Sequence, residues 1–246
     1  MLQKTYGLVG KNIAYSFSKK YFTERFLKTN ASHCAYENFD ISEIQQFTEV
    51  LKNNPNLVGL NVTIPYKEAI LPYLDSLSKK SAEIGAVNVI RFTKSGKLKG
   101  YNSDAYGFKK ALEPMLQEHH KKALILGTGG ASKAVAYALK ELGILYTFVS
   151  REATENTIDY TRINATTFDN FQIVINCTPL GTSPNVKESP PIPYQFFTEK
   201  HIAFDLIYNP EETQFLKKAK QKGAIIQNGM AMLAFQAEKA WQIWNK

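Results

Sequence analysis

The chain has 246 residues, of which 44% are hydrophobic and 21% are charged, close to the averages of globular proteins. This composition argues against a disordered chain, and two cysteines, Cys34 and Cys177, are too few for a disulfide scaffold or a cysteine-based zinc site. The net charge of +8 is compatible with nucleic-acid binding, but the lysines are scattered in small groups, which indicates a solvated surface and no nucleic-acid partner.

The first hundred residues alternate between strand-like and helix-like segments, which indicates an α/β layer architecture. Short apolar or β-branched runs predict strands over residues 5–9, 33–39 and 57–62. Apolar residues at helical spacing predict helices over residues 18–28, 41–52 and 70–77. A hairpin is predicted for 87–92 and 97–101, which flank Lys94-Ser95-Gly96.

A helix is predicted after Asp104, and the polar stretch 117–122 behind it indicates a domain boundary. A βαβ unit follows, with a strand at 123–126, a glycine turn at 127–130, a helix at 131–142 and a strand at 144–149. Residues 152–169 are polar and weakly periodic, so we expect no full-length crossover helix there. The remaining predictions are strands at 171–177, 201–206 and 224–227, and helices at 211–222 and 233–244.

The glycine turn of the βαβ unit has the context that a dinucleotide-binding fingerprint requires. Gly129 allows the backbone to approach a pyrophosphate, and the helix that starts near Ala131 offers free N–H groups to the anion. A turn that only needs a positive φ is the alternative, but the flanking strand and helix favour dinucleotide binding. Ser132 occupies the place of the third glycine, which affects helix–strand packing more than phosphate contact.

The end of the second strand indicates which dinucleotide binds. Arg151 favours NADP because a guanidinium matches the geometry of the 2′-phosphate. Glu152 is the kind of residue that binds the ribose 2′-hydroxyl of NAD, so NAD stays open.

Two charged residues follow strands at places that commonly line the clefts of α/β proteins. Lys67 ends the segment after strand 57–62, and Asp104 comes after Asn102 and Ser103. Taken alone, such a lysine is more often solvated, and such an aspartate is more often a helix N-cap.

These residues belong to an ordered set of motifs in which the chain resembles the shikimate dehydrogenase family over nearly its whole length. The matching segments are SFS at 16–18, NVTIPYK at 61–67, GAVN at 85–88, NSD at 102–104, GTGGAS at 127–132, NCTPLG at 176–181, DLIYNP at 205–210 and the stretch 229–236. Each match is modest by itself, but the set in this order is specific. The resemblance implies an oxidoreductase that reversibly reduces 3-dehydroshikimate to shikimate with NADPH, on the way to chorismate and the aromatic amino acids.

The resemblance also implies that Lys67 and Asp104 are the catalytic pair. Lys67 would give a proton to the carbonyl oxygen as hydride arrives on its carbon, and Asp104 would bind a ring hydroxyl and orient Lys67. Hydride addition creates an alkoxide, which needs a proton or a nearby positive charge. Which of the two side chains carries the proton stays open.

Further roles follow from the same resemblance. The implied substrate-binding residues are Ser16, Ser18, Thr63, Asn88, Tyr208 and Gln236. Of these, the three hydroxyl residues at 16, 18 and 63 would hold the carboxylate, although Ser18 in particular is also a candidate helix N-cap. The implied cofactor-binding residues are Gly127, Thr128, Gly129, Gly130, Ala131, Ser132, Arg151, Thr178, Leu206 and Gly229.

The implied fold has two α/β domains around a cleft. Residues 1–103 form the substrate-binding catalytic domain, with the C-terminal helix 231–246 packed back on it, and residues 104–230 form a Rossmann-like NADP-binding domain. The implied partner is a small-molecule substrate, and the protein is expected to be a monomer or a homodimer. We expect no metal, because the four histidines form no ligand-like cluster. We also expect a cytoplasmic protein without a membrane partner, since no apolar run approaches the roughly 20 residues that span a bilayer.

The sequence departs from the family beside the predicted carboxylate site. Tyr15 replaces the usual histidine before the first serine, Lys19 replaces a frequent proline, and Tyr21-Phe22 replaces a usual His-Asn pair. These changes bear on substrate specificity. Two alternatives therefore stay open: a quinate/shikimate dehydrogenase that uses NAD, and a catalytically silent nucleotide-binding regulator on the same scaffold.

Overall fold

The computed structural model of the chain describes residues 3–14, 16–31 and 33–246. It divides into two compact units, one made of Met1–Ser103 with Ala237–Lys246 and the other of Asp104–Gln236. The polar stretch 117–122, predicted as a boundary, lies inside the second unit. The reason is that this stretch is tied down: His120 is buried, and its ring bonds the Lys200 carbonyl at 3.1 Å.

The first unit contains a mixed six-stranded sheet, as counted over the described residues. Its strands are β1 (Lys4–Gly10), β2 (Cys34–Asp40), β3 (Leu57–Val62), β4 (Ser76–Leu77), β5 (Val89–Phe92) and β6 (Leu98–Tyr101), in the order β2-β1-β3-β5-β6-β4. β1 pairs with β2 and β3 in parallel, whereas β5 is antiparallel to both β3 and β6. The predicted hairpin is therefore confirmed. Because β5 reverses direction, its amino end and the carboxyl ends of β3 and β6 lie at one edge of the sheet.

The helices of the first unit are α1 (Phe17–Lys28), α2 (Phe47–Asn53), α3 (Tyr66–Ala69) and α4 (Lys79–Ile84). The predicted helix 70–77 is wrong, because Pro72 lies in a 3₁₀ turn and the chain then enters β4. α4 was not predicted, although Ser78 caps its start and Gly85, at φ +71°, ends it. The N-cap of α1 is Ser16 and not Ser18, which lies within the helix.

The second unit contains a fully parallel sheet. Its strands are β7 (Lys122–Leu126), β8 (Leu145–Ser150), β9 (Thr157–Asp159), β10 (Ile173–Asn176), β11 (Ile202–Asp205) and β12 (Ile225–Gln227), in the order β12-β11-β10-β7-β8-β9. This is the order of a doubly wound Rossmann sheet, whose switch point lies between β7 and β10. β10 and β11 are buried along their whole length and apolar up to their last residues, Asn176 and Asp205, as expected for strands covered on both faces. The predicted α/β fold with a Rossmann-like second part is confirmed.

The helices after Ser103 are α5 (Asp104–Leu112), α6 (Gly130–Glu141), α7 (Ala165–Asn170), α8 (Gln214–Lys220) and α9 (Met230–Trp244). α7 has only six residues, in line with the prediction that 152–169 holds no full-length crossover helix. α9 belongs to both units, since its residues from Ala237 onward are part of the first. There the Trp244 indole donates to the Ile90 carbonyl at 3.0 Å and covers Gly59, where a Cβ would come within 2.4 Å of the ring. Across the described residues, every helix is too short or too polar to span a lipid bilayer.

Candidate functional site

Polar residues gather at one edge of the sheet in the first unit. Thr63 follows β3, Asn88 precedes β5, and Asn102 and Ser103 follow β6. The buried Asn88 amide donates to the Ser103 hydroxyl at 3.0 Å and accepts from the Ser103 N–H at 2.7 Å. Asn102 donates to the Ala86 carbonyl at 3.0 Å. These bonds hold two predicted motifs, 85–88 and 102–104, against each other; we call this region the polar edge.

Lys67 lies in α3, directly after β3, and is half-buried. Its carbonyl accepts a hydrogen bond from the Val87 N–H at 2.8 Å, and the adjacent Tyr66 hydroxyl donates to the Ile41 carbonyl at 2.8 Å. The backbone that carries the ammonium group is thus fixed to the polar edge, next to Asn88. Asp104, only 1% exposed, begins α5, where the helix dipole favours a carboxylate.

The serine motif lies at the start of α1. The Ser16 hydroxyl accepts the Ser18 N–H at 3.3 Å, which makes it the cap of the helix. A chain of hydrogen bonds runs from β2 to the polar edge. Tyr36 donates to the Asn61 side chain at 2.8 Å, and Asn61 donates to the Asn88 carbonyl at 3.2 Å. Burial raises the pKa of the Tyr36 phenol well above its usual value. Tyr36 was not singled out from the sequence, where it reads as an ordinary strand residue.

The departures from the family pattern have structural roles where the structure describes them. Lys19 forms an exposed ion pair with Glu37 at 2.7 Å. Tyr21 donates to Glu238, and burial raises the pKa of its phenol to about 12. Phe22 is buried and stacks on Tyr36, with 4.7 Å between ring centroids. Tyr15 lies outside the described residues.

Tyr208 and Gln236, predicted to bind substrate, both belong to the second unit. Tyr208 is half-buried in the loop that follows β11. Gln236 is half-buried on α9, where that helix packs closely on α5: a Cβ at Gly107 would lie 2.6 Å from the Met232 carbonyl and 3.0 Å from the Gln236 Cβ. Glycine at 107 is therefore what permits the close approach that positions Gln236.

The glycine turn after β7 contains two glycines with different requirements. Gly127 has a φ of +101°, and a Cβ there would lie 3.2 Å from Thr178, so its backbone demands glycine. Gly129 is extended, at φ −75° and ψ 179°, and a Cβ there would have no atom within 4 Å. The space beside Gly129, at the start of α6, is thus open to a ligand. An anion there would meet the free N–H groups of the first helical turn, so the turn fits a dinucleotide pyrophosphate.

The other residues of the turn are placed as follows. Ser132 is buried, and its hydroxyl donates to the Gly129 carbonyl at 2.6 Å, which stabilises the conformation of the turn. Thr128 is exposed, and Gly130 and Ala131 are half-buried at the start of the helix.

Arg151 is exposed immediately after β8, the second strand of the βαβ unit. In dinucleotide-binding folds generally, a residue near the end of this strand contacts the 2′ position of the ribose. Burial raises the pKa of the nearby Tyr160 phenol, and the Arg151 guanidinium opposes that rise. Glu152 is also exposed, and its N–H donates to the Ser150 hydroxyl at 3.3 Å.

A buried carboxylate connects the loops that follow β10 and β11. Asp205 accepts from the Asn176 amide at 3.1 Å, from the Ile207 N–H at 3.0 Å and from the Thr213 hydroxyl at 2.6 Å. Burial raises the pKa of the Asp205 carboxyl to about 6, although these hydrogen bonds oppose the rise. Asp205 and Asn176 stood in the motifs recognised from the sequence, but their pairing across 29 residues was not predicted. Among the described residues, no three histidine, cysteine or carboxylate side chains form a metal-binding group.

Known proteins resemble the chain along almost all of its length. The family profile "Shikimate dehydrogenase substrate binding domain" matches residues 8–90. A shikimate dehydrogenase (NADP(+)) from Clostridium botulinum is 38% identical over 251 residues, which cover 98% of this chain and 96% of that protein.

Solved structures give the same result. Shikimate dehydrogenase from Aquifex aeolicus, 32% identical, superimposes with a TM-score of 0.87 over 99% of this chain and 92% of that one. Shikimate 5-dehydrogenase from Thermus thermophilus, in complex with NADP(H) and shikimate, is also 32% identical, with a TM-score of 0.86 over 99% and 93% of the two chains. Because identity and fold are both shared over nearly the full length, the chain belongs to the shikimate dehydrogenase family.

Proposed function

We propose that the protein catalyses the reversible, NADPH-dependent reduction of 3-dehydroshikimate to shikimate. The observation that carries the proposal is the attachment of Lys67 to the polar edge, through the hydrogen bond between the Val87 N–H and the Lys67 carbonyl. This bond fixes the Lys67 backbone beside the polar edge, which supplies hydroxyl and amide groups of the kind that a polyhydroxylated carboxylic acid needs for recognition. Membership of the family supports the same reaction.

In this reaction, NADPH would supply, when bound, a hydride to the substrate carbonyl carbon. Lys67 stabilises the developing alkoxide and gives it a proton, and in the reverse direction the proton returns to the enzyme. Asp104 accepts a hydrogen bond from a ring hydroxyl and orients the Lys67 ammonium. Either member of the pair is a candidate for the group that carries the proton.

The rest of the substrate is held by polar side chains. Ser16, Ser18 and Thr63 are assigned to the carboxylate, since hydroxyl groups donate to carboxylate oxygens. Ser16 suits this role because its oxygen accepts the Ser18 N–H, so its hydroxyl proton is directed elsewhere. The residues assigned to the ring hydroxyls or carboxylate are Asn88, Tyr208 and Gln236.

The second unit is assigned to NADP and the first to substrate binding, to which the second unit adds Asp104, Tyr208 and Gln236. The glycine turn, residues 127–132, would hold the pyrophosphate, and Arg151 would hold the 2′-phosphate. Thr178, Leu206 and Gly229 are assigned to the nicotinamide end. We further propose that the enzyme acts in the cytoplasm, as a monomer or a homodimer.

The test of this proposal is an absorbance assay of the nicotinamide band, run with shikimate and each oxidised dinucleotide. Replacing Lys67 with Ala should lower kcat by about 10²–10⁴-fold, because the transition state loses its proton source. The matched control is Lys94→Ala, since Lys94 is exposed in the hairpin turn and should leave kcat unchanged. A Lys67→Ala enzyme with near-normal kcat and normal unfolding would contradict the assignment.

The rival within the same class is an NAD-dependent quinate/shikimate dehydrogenase. The exposed Glu152 beside Arg151 favours it, because a carboxylate suits the free 2′-hydroxyl of NAD. The ratio of kcat/KM for shikimate with NADP to that for quinate with NAD separates the two. A protein that binds NADPH but turns over neither acid would instead be a silent regulator.

A further inference from the structure

We propose that Asp205 is a positioning residue for the nicotinamide end of the cofactor. Its buried carboxylate holds, through Asn176 and Ile207, the two loops that carry Thr178 and Leu206. The inference rests on the proposed function, because it takes these loops to be the ones that contact the nicotinamide.

The first argument is the cost of the group itself. Asp205 is the last residue of β11 and is fully buried, and its three hydrogen-bond donors, from Asn176, Ile207 and Thr213, are all uncharged. A buried carboxylate whose partners are neutral is expensive to keep. Carboxylates in such surroundings are concentrated at functional sites. The position beyond the carboxyl ends of β10 and β11 is also where a doubly wound sheet binds its ligand.

The second argument is the direction of the hydrogen bonds around Asn176. An ionised carboxylate only accepts, so the Asn176 amide must turn its NH₂ group toward Asp205. The Asn176 oxygen then faces Thr178, from which it accepts the N–H at 3.0 Å and the hydroxyl at 2.7 Å. The Thr178 hydroxyl oxygen in turn accepts the Leu180 N–H at 3.3 Å. The Asn176 NH₂ group also donates to the Leu180 carbonyl, at 3.4 Å. Without the carboxylate the amide keeps this longer bond and loses the shorter one, which loosens the side chain that holds Thr178.

The third argument is that the same carboxylate fixes the loop after β11. The Asp205 oxygen that binds Asn176 also accepts the Ile207 N–H, and the Ile207 carbonyl accepts the Gly229 N–H at 2.9 Å. Gly229 is in close contact with this loop, since a Cβ there would come within 2.1 Å of the Leu206 carbonyl. The three residues assigned to the nicotinamide end are thus all linked to one carboxylate within two or three contacts.

The test compares two substitutions of Asp205 by steady-state kinetics. Asp205→Ala removes all three hydrogen bonds that the carboxylate accepts. The KM for NADPH should rise about tenfold, as expected if the loosened loops lose the equivalent of one hydrogen bond to the charged cofactor. The KM for 3-dehydroshikimate should rise by less, because of its predicted ligands only Tyr208 lies in a loop that Asp205 holds. Asp205→Asn keeps an oxygen toward Asn176 and Ile207, and its NH₂ group can donate to the Thr213 hydroxyl. It should therefore restore the KM for NADPH to within about twofold of the unmodified enzyme.

The matched control is Thr213→Val, which disturbs the other oxygen of the same carboxylate. It removes a cap of α8 and should lower stability without changing the KM for NADPH. Should Asp205→Ala fail to fold, Asn176→Ala gives the same test, because it removes the contact with Asp205 and both bonds to Thr178. The KM for NADPH should then rise as far.

Three results would overturn the inference: an unchanged KM for NADPH in the alanine variant, an equal rise in both KM values, or an asparagine variant as impaired as the alanine one. Where the Asp205→Ala variant does not fold, an unchanged KM for NADPH in Asn176→Ala overturns it as well. An unmodified enzyme that does not oxidise shikimate would instead overturn the proposed function, so the two failures are distinguishable.

Discussion

Replacing Gly129 with alanine should separate cofactor binding from stability. Gly129 has a φ of −75° and a ψ of 179°, a region open to every residue, and no atom lies within 4 Å of a Cβ built there. Alanine therefore introduces no strain in the folded state, while it restricts the unfolded chain. Gly129 is also the N-cap of α6, where alanine is less favourable than glycine, and this offsets the entropic gain. The free energy of unfolding should therefore change by less than about 1 kcal/mol.

The same methyl group should weaken NADPH binding, because it enters the space where the pyrophosphate meets the N–H groups of α6. A hydrogen bond to a charged group contributes about 1.5–3 kcal/mol, and each 1.4 kcal/mol is about tenfold in affinity. Losing one such bond should raise the KM for NADPH about 10- to 100-fold, with little effect on the KM for the acid substrate.

The two quantities are measured separately, by urea unfolding and by the nicotinamide absorbance assay. Gly143→Ala is the matched control, since Gly143 also has open space around a Cβ but has a φ of +71°. It should lose about 1–2 kcal/mol of stability with no change in the KM for NADPH. If Gly129→Ala binds NADPH normally, the glycine turn is only a structural turn and the cofactor assignment of 127–132 is refuted.

Two further predictions concern Arg151 and Asp205. Arg151→Ala should raise the KM for NADPH about 10-fold or more while leaving that for NADH nearly unchanged, since only NADPH has the 2′-phosphate; equal effects on both would remove Arg151 from this role. Burial raises the pKa of the Asp205 carboxyl from its ordinary value of 3.8 to about 6 in the folded state. The contribution of the protonated carboxyl to the free energy of unfolding is therefore complete below about pH 3.8 and is lost as the pH rises through about 6. The unfolding free energy of the unmodified protein, relative to Asp205→Asn, should therefore fall by about 1 kcal/mol between about pH 5 and about pH 8 in urea titrations, and a difference that does not vary with pH would contradict the raised pKa.

The sequence predicts best those elements that local patterns determine. Strand β3 begins and ends where its apolar run does, and the βαβ unit around the glycine turn follows the predicted order. The prediction of a helix over 70–77 fails because apolar spacing continues through Pro72, which the helical ladder does not accommodate. In α1 both serines are plausible caps, and only the structure shows that Ser16 accepts the N–H.

The candidate site is less predictable than the fold because its geometry depends on contacts distant in sequence. The motifs identify Lys67, Asn88 and the glycine turn. They do not show that the Val87 N–H binds the Lys67 carbonyl or that the Asn88 amide donates to the Ser103 hydroxyl. Hydrogen bonds between separate strand ends leave no periodic signal in a single sequence. The Asp205 pair is the clearest case, since each partner alone resembles an ordinary polar residue at the end of a strand.

The last turns of α9 make the first unit discontinuous along the chain. Trp244 fills the place beside Gly59 and donates to the Ile90 carbonyl, although the whole second unit, Asp104–Gln236, lies between these residues in the sequence. During synthesis on the ribosome, the amino-terminal sheet therefore lacks Trp244 until the entire second unit has been translated. Replacing Trp244 with a small residue should therefore impair folding of the first unit, whereas the second unit keeps a hydrophobic core of its own.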